Sequence, residues 1–194
     1  MRRVDHPNII SIFGAGPNPP LPTFIILEHL SGGTLLSVSG NRTDMALRYA
    51  LQVAKGLLYL HELWNPAWRI IHRDIKPDNI ALSKTGRIKI FDFGAATVVR
   101  KHEQENELFL QDRKGTWQYM APEVLVGGKY NHKADVYSFA MVLYFLLRGK
   151  PAVDVNLSES DHMYNIREKG WRPDIPAEWN PELRTLMLHC FSYK

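Results

Sequence analysis

An aspartate, a lysine and an asparagine stand close together in a short polar stretch flanked by apolar residues. Asp74 is followed by Lys76 two positions on and by Asn79 five positions on. A carboxylate can orient a hydroxyl group, an ammonium group can bind a phosphate, and an amide oxygen can bind Mg²⁺. These residue types therefore suit phosphoryl transfer, although Asp-x-Lys alone also fits a turn with a surface ion pair.

Two further strings carry polar groups in positions that could serve chemistry. Asp92 directly follows the β-type run 88–91 and precedes an aromatic residue and a glycine, an arrangement that can present a metal ligand on a turn. An Asp-initiated turn with a core phenylalanine explains the same residues. The third string, 115–123, read alone is a loop that enters a helix with Pro122 in its first turn.

The apolar pattern predicts the elements that hold these strings. Apolar residues at helical spacing and short β-rich runs alternate with polar and Gly/Pro-rich turns. The predicted strands are 9–13, 23–27, 70–71, 80–82 and 88–91, the first two separated by a loop at 14–22. The predicted helices are 44–63, 132–148, 161–169 and 181–191, with an irregular stretch at 95–118. This is an α+β fold, a small β remnant followed by a mostly helical body.

Composition excludes several classes of protein. The net charge of +4 is small and scattered, which does not favour a nucleic-acid partner. The single cysteine, Cys190, permits no disulfide within the chain and favours a reducing, cytoplasmic location. The longest apolar run, 139–147, is far shorter than the roughly 20 residues that span a bilayer, so no membrane span is expected.

Together the three strings resemble the protein kinase family. H-R-D-x-K-x-x-N stands at 72–79, D-F-G at 92–94 and A-P-E at 121–123, in the family's order. The resemblance implies a kinase-like fold that uses ATP and Mg²⁺. It implies Asp74 as catalytic base and Lys76 as contact to the γ-phosphate. Asn79 and Asp92 would be the Mg²⁺ ligands.

The resemblance also suggests where adenine and the substrate bind. Segment 24–33 resembles the hinge of the family, with Leu27 as gatekeeper and ATP contacts from the backbones of Glu28 and Leu30. Ala81 would form the floor under adenine. Lys76 and Thr116 follow the serine/threonine pattern, in which Thr116 hydrogen-bonds both Asp74 and Lys76.

Supporting roles follow from the same resemblance. His72 and Phe93 resemble two members of the hydrophobic spine of an active kinase, with Ile12 as a third. Asp135 resembles the buried aspartate that anchors the catalytic loop, although an acid in the first turn of a helix is also favoured by the helix dipole. Glu123 would pair with an arginine near the end of the family's domain.

Arg73, which precedes Asp74, resembles the arginine that commonly pairs with a phosphate on the activation loop. Residues 98–115 contain no serine, threonine or tyrosine. We therefore hypothesise that an acid of this stretch replaces the phosphate, and the alternative is that these acids are simply solvated. The candidate acids are Glu103, Glu105, Glu107 and Asp112.

The chain also departs from the family pattern. It contains no G-x-G-x-x-G string and no V-A-I-K-like lysine. We therefore expect an N-lobe remnant at 1–30, with two strands and the hinge, and a C-lobe at 31–194 truncated at its C-terminal end. Because positioning of the triphosphate dominates this catalysis, we expect this polypeptide alone to bind Mg-ATP poorly and to turn over negligibly.

The predicted function is transfer of the ATP γ-phosphoryl group to serine or threonine hydroxyls of a protein substrate. Segments 130–140 and 171–176 look most like the tyrosine-kinase-like group, and the Roco or leucine-rich-repeat kinases in particular. One alternative is a pseudokinase-like scaffold, which the complete set of Asp74, Lys76, Asn79 and Asp92 opposes. The other is a small-molecule phosphotransferase, which the segment 116–123 opposes.

Overall fold

The computed structural model describes residues 4–16, 24–38, 43–101 and 110–192. Within these ranges the strands are β1 (Ile12–Ala15), β2 (Ile25–Leu27), β3 (Trp68–Ile71), β4 (Ile80–Leu82), β5 (Ile88–Ile90) and β6 (Thr97–Arg100). The α-helices are α1 (Leu35–Val38), α2 (Thr43–Leu58), α3 (Pro122–Leu125), α4 (Lys133–Arg148), α5 (Glu159–Lys169) and α6 (Pro181–Phe191). The predicted α+β fold is confirmed.

The strands form antiparallel pairs, and one pair positions the polar strings. β1 pairs with β2, β3 with β6, and β4 with β5. In the β4–β5 pair Ile80 lies opposite Ile90, and the N–H of Phe91 donates to the carbonyl of Asn79 at 3.0 Å. Because the pair is antiparallel, the start of β4 and the end of β5 meet at one end. Asn79 and Asp92 are therefore brought to the same edge.

Helix α4 is the centre of the helical body. Its sequence is apolar on nearly every side, which is the pattern of a helix buried all round. It packs against α2 and α6, and its residues from Phe139 to Leu146 are all buried. The glycine at its C-terminus, Gly149, adopts the left-handed conformation (φ 68°) that ends a helix at little cost.

The predicted helix bounds agree closely with the observed ones. The predicted helix 44–63 is α2 continued by a π-helical turn, Tyr59–Leu63. The other predicted helices correspond to α4, α5 and α6, and the short helix α1 was not predicted. In the described ranges no helix is both long enough and apolar enough to cross a bilayer.

One predicted strand was misplaced, and one observed strand was not predicted. The first strand was predicted at 9–13, but β1 begins at Ile12, and Ile9 forms only a single bridge to Ile90. The apolar residues Ile9 and Ile10 are explained by burial, at 2% and 7% exposure, and not by a place in the strand. Strand β6 lies inside the stretch predicted to be irregular, because its partner β3 is distant in sequence. Most of the predicted loop, residues 17–22, and Thr23 lie outside the described residues.

Candidate active site

The four residues predicted to be catalytic form one hydrogen-bonded cluster around the carboxylate of Asp74. Thr116 donates to Asp74 Oδ1 from its backbone N and from its Oγ1, each at 2.8 Å. Asn79 Nδ2 and Lys76 Nζ lie 2.9 Å and 3.1 Å from Asp74 Oδ2. Lys76 Nζ also donates to Thr116 Oγ1 at 2.7 Å, which closes the cluster into a ring.

The cluster keeps Asp74 ionised. Burial favours the neutral carboxylic acid, but hydrogen bonds from Thr116 and Lys76 outweigh burial and lower the pKa of Asp74 below its ordinary value. Asp74 is therefore a carboxylate at neutral pH, and a carboxylate can only accept hydrogen bonds. It can hold the hydrogen of an incoming hydroxyl group.

A fully buried carboxylate on α4 holds the backbone of the catalytic loop. Asp135 is 0% exposed and accepts from the backbone N–H groups of His72 and Arg73, each at 2.8 Å. It also lies 2.8 Å from Nε2 of His61. Burial opposes ionisation, but these donors lower the pKa of Asp135 below its usual value. The predicted anchoring contact is therefore present in the structure.

The imidazole of His72 joins the two strings that carry Asp74 and Asp92. Its Nδ1 accepts from the backbone N–H of Asp74 at 3.3 Å, and its Nε2 donates to the carbonyl of Phe91 at 3.0 Å. These bonds require a neutral ring protonated at Nε2, and burial lowers the pKa of His72 accordingly. The ring also contacts Phe93 edge-on, with centroids 4.9 Å apart. The loop bearing Asp74 and the turn bearing Asp92 therefore adjoin.

Asn79 and Asp92 provide oxygens suited to a hard cation. Both hydrogen bonds of the Asn79 Nδ2 amide go to Asp74, at 2.9 Å each, which leaves Oδ1 as the atom that could bind a cation. Asp92 sits in the left-handed region (φ 60°) at the end of β5. In the described ranges no group of three or more His, Cys, Asp or Glu is placed to hold a metal. Mg²⁺ is commonly held by one or two protein oxygens plus phosphate and water, so this pair fits it.

The predicted hinge is attached to the strand that leads to Asp92. Lys89 Nζ lies 2.7 Å from Oε1 of Glu28 and 3.2 Å from the carbonyl oxygen of Ile9. Ala81, predicted to lie under adenine, is 3% exposed and pairs with Lys89 across the β4–β5 pair. Leu30 is partly exposed, two residues after Glu28. Glu28, Lys89 and Ala81 thus belong to one connected region.

The segment that carries Thr116 lies directly against the catalytic loop. Gly115 has a φ of 108°, and a Cβ at this position would overlap the carbonyl oxygen of Arg73. Only glycine therefore permits this approach. At the other end of the segment, Ser138 on α4 donates to the carbonyl of Tyr119 at 2.8 Å. Both anchors hold Thr116 beside Asp74.

The structure also describes the surroundings of Asp112, Ile12 and Glu123, for which the sequence predicted supporting roles. Asp112 forms an ion pair with Arg73, whereas Glu103, Glu105 and Glu107 lie outside the described residues. Ile12, predicted as a spine member, is 49% exposed. Glu123 shares a cavity with Arg172; burial raises the pKa of Glu123, and the Arg172 charge opposes that rise.

Comparison with known proteins agrees with this geometry. The sequence matches the protein kinase domain family along residues 1–194. The chain belongs to the protein kinase family. The match covers every element described above, so the predicted family is confirmed.

The kinase relatives share moderate identity with this chain. The serine/threonine-protein kinase VIK of Arabidopsis thaliana is 35% identical over 196 residues, which are 97% of this chain and 43% of VIK. Serine/threonine-protein kinase STY17 of Arabidopsis thaliana is 33% identical, over 98% of this chain and 32% of STY17. Human mitogen-activated protein kinase kinase kinase 7 is 32% identical, over 99% of this chain and 31% of the relative. The chain thus spans less than half the length of each.

These relatives bear on the predicted subgroup of the kinase. Relatives of the serine/threonine type support the predicted serine/threonine type within the tyrosine-kinase-like group. The finer assignment to the Roco or leucine-rich-repeat kinases is not confirmed and stays a prediction.

Sequence reasoning missed several residues that contact residues of the predicted site or of its supports. They are His61, Lys89 and Tyr130, each of which contacts a partner more than 15 positions away in sequence. One signal was available for Lys89, a single cation between two isoleucines that are 0% exposed in a short strand. A lysine there needs a buried counter-charge.

Proposed function

We propose that this kinase domain serves transfer of the γ-phosphoryl group of ATP to serine or threonine hydroxyls of a protein. The observation that carries the proposal is the closed ring of hydrogen bonds among Asp74, Thr116 and Lys76. Such a ring holds a carboxylate and an ammonium group of one loop side by side, and Thr116 ties that loop to a second segment. Positioning of this kind is most of what an enzyme contributes to phosphoryl transfer.

Asp74 is the group that receives the substrate hydroxyl. Its lowered pKa makes it a weak base, which suits a carboxylate that orients the hydroxyl and takes its proton as the new bond to phosphorus forms. Both oxygens of Asp74 already accept two hydrogen bonds each. One of these donors must therefore leave Asp74 when the hydroxyl group of the substrate binds.

Lys76 is the partner most suited to that exchange. Its flexible ammonium group has three donors, so it can keep Thr116 while it turns from Asp74 Oδ2 to the γ-phosphate of ATP. That movement opens Oδ2 for the substrate hydroxyl. Binding of ATP and binding of the hydroxyl are thus coupled through a single side chain.

Mg²⁺ and adenine complete the proposed site. Asn79 and Asp92 would hold Mg²⁺, which neutralises charge on the phosphates of ATP. Glu28 and Leu30 would offer backbone groups to adenine, with Ala81 beneath the ring. Support comes from Lys89, which links Glu28 to the strand opposite Ala81.

We assign residues 1–30, with the hinge, to the N-lobe and residues 31–194 to the C-lobe. Thr116 beside Asp74 supports a protein substrate that presents serine or threonine. The single cysteine, Cys190, whose thiol pKa is raised by burial, supports a cytoplasmic location.

The proposed function is tested by removing the carboxylate of Asp74. In the protein that carries this chain, Asp74→Asn should lower kcat for transfer to a serine/threonine substrate by about 10²- to 10⁴-fold, the range for a general base. Asp174→Asn, which changes an exposed aspartate, is the matched control and should retain wild-type kcat. Transfer is measured with labelled ATP.

Two outcomes would contradict the proposal, one in this assay and one in a binding measurement. Equal rates in wild type and Asp74→Asn would mean that Asp74 does not take part in transfer. ATP-independent binding of a protein partner, with no transfer by the wild type, would favour the scaffold function.

A further inference from the structure

The arginine that precedes Asp74 is held in an unusual conformation. Arg73 has a φ of 68°, a region that costs free energy for residues other than glycine, and its side chain is only 10% exposed. Its backbone N–H donates to Asp135, and its Nε donates to the carbonyl of Ala95 at 2.6 Å. A nearly buried cation next to the catalytic carboxylate requires a counter-charge.

Asp112 supplies that charge from the segment that leads to Thr116. Both of its carboxylate oxygens lie 2.8 Å from Nη1 of Arg73. Within the described residues, Asp112 is the acid with which Arg73 forms an ion pair. The contact joins the catalytic loop to a part of the chain 39 positions away in sequence.

Tyr130 fixes Asp112 in this position. Its hydroxyl lies 2.8 Å from the carbonyl oxygen of Asp112 and 3.2 Å from Oδ1, and it can donate to either. The backbones of Tyr130 and Leu110 exchange two hydrogen bonds, each of 3.0 Å. Asp112 is thus held through its backbone neighbours and through its side chain.

The sequence around Asp112 provides no hydroxyl that could carry a phosphate. Residues 98–115 contain no serine, threonine or tyrosine. Thr97 and Thr116 border this stretch, and each is tied to the fold, Thr97 through its backbone and Thr116 through its hydroxyl. Thr97 pairs with Ile71 in the β3–β6 sheet, and Thr116 donates to Asp74.

We propose that Asp112 is a positioning residue, a permanent charge that holds the catalytic loop and the 110–116 segment together through Arg73. The proposal rests on the proposed kinase function, and it makes transfer independent of phosphorylation of this segment. A phosphate group would add a charge of about −1.5 to −2 only after phosphorylation, whereas the carboxylate of Asp112 is present without any modification.

The test uses the protein that carries this chain, with and without prior phosphatase treatment. Phosphatase-treated wild type should keep its kcat. Asp112→Asn removes the charge at constant size and should lower kcat about tenfold or more, the loss typical of a hydrogen bond to a charged group. Asp112→Glu retains the charge and should recover most of the activity. Glu178→Gln, an exposed acid on another segment, is the control.

Two further measurements separate this idea from a general loss of stability. In Asp112→Asn, hydrogen exchange should rise at the backbone amides of Arg73 and Thr116 and stay unchanged in α6. In a double-mutant cycle, Asp112→Asn should have little further effect once Arg73 is replaced by methionine.

The proposal is overturned if phosphatase abolishes wild-type activity, or if Asp112→Asn changes neither kcat nor exchange at Arg73 and Thr116. If the wild type transfers no phosphate under any condition, the kinase function fails. The exchange measurement then still decides whether Asp112 holds the segment.

Discussion

The catalytic loop and the β1–β2 pair differ in how completely this chain surrounds them. His72 and Asp135, which support the catalytic loop, are both 0% exposed. The apolar side chains of the β1–β2 region are instead 43–67% exposed, namely Ile12, Phe13, Phe24, Ile25, Ile26 and Leu27. The side chains that support the catalytic loop are therefore enclosed by the chain, whereas the β1–β2 region leaves its apolar side chains largely exposed. The ion pair between Lys89 and Glu28 is one of the contacts that attach this region to the rest of the chain.

This difference predicts that the largest loss comes from the anchor of the catalytic loop. Asp135→Ala leaves the buried donors of His61, His72 and Arg73 without their acceptor. We expect the free energy of unfolding to fall by about 3–5 kcal/mol, as when one partner of a buried charged contact is removed. Chemical denaturation measures this value, and a loss below about 1 kcal/mol would show that the anchor is unimportant.

The second prediction concerns the link between the two regions. Lys89→Met should cost about 1.5–3 kcal/mol, the range for a hydrogen bond to a charged group, because Glu28 then lacks its cation. Hydrogen exchange at the backbone amide of Glu28 should rise as well. The double variant Glu28→Gln with Lys89→Met should be more stable than Lys89→Met alone. An equal or lower stability of the double variant would contradict a role for the ion pair.

The third prediction is a pH dependence that arises beside the catalytic anchor. Burial, with the charges of His61 and Arg69, lowers the pKa of His132 to about 3. The unfolded chain binds a proton at this residue near pH 6.5, whereas the folded chain does not until about pH 3. His132 therefore costs no stability above pH 6.5, and the free energy of unfolding declines as the pH falls from 6.5 towards 3.

The slope of this decline is at most about 1.4 kcal/mol per pH unit for one group. His132→Asn should therefore show a flatter dependence of unfolding free energy on pH between about 6 and 4. Denaturation curves at several pH values measure the slope. Identical slopes for wild type and variant would assign the effect to other groups.

The smallest effect is expected on the exposed side of the hinge region. Ile26 on β2 is 51% exposed, and Ile26→Ala should change the stability of this chain by about 0.5 kcal/mol or less. Ile71, at 0% exposure beside the catalytic loop, is the matched comparison, and Ile71→Ala should cost about 2–5 kcal/mol. Similar losses for both variants would remove the contrast between the two regions.

Local motifs allowed much of the catalytic site to be predicted. Asp74, Lys76 and Asn79 lie within one short loop, so their spacing nearly determines their proximity, and Asp92 follows a strand paired with the one after Asn79. The helix positions were also predictable, since apolar periodicity is a local signal.

The contacts that the sequence did not reveal are long-range ones. Strand β6 depends on β3, and the pair Glu28–Lys89 joins residues on two separate segments. Burial misled the prediction at Ile9 and Ile10, because a buried loop and a strand share the same apolar composition. Partners of this kind are fixed by packing of the whole domain.

The central claim is that Asn79 and Asp92 bind the Mg²⁺ that accompanies a nucleotide beside Asp74. Calorimetric titration of ADP, with and without Mg²⁺, tests it most directly on the protein that carries this chain. Mg²⁺ should tighten ADP binding by about tenfold in the wild type and in Asp174→Asn, a difference of about 1.4 kcal/mol, and not in Asp92→Asn. The same gain from Mg²⁺ in Asp92→Asn would contradict the account.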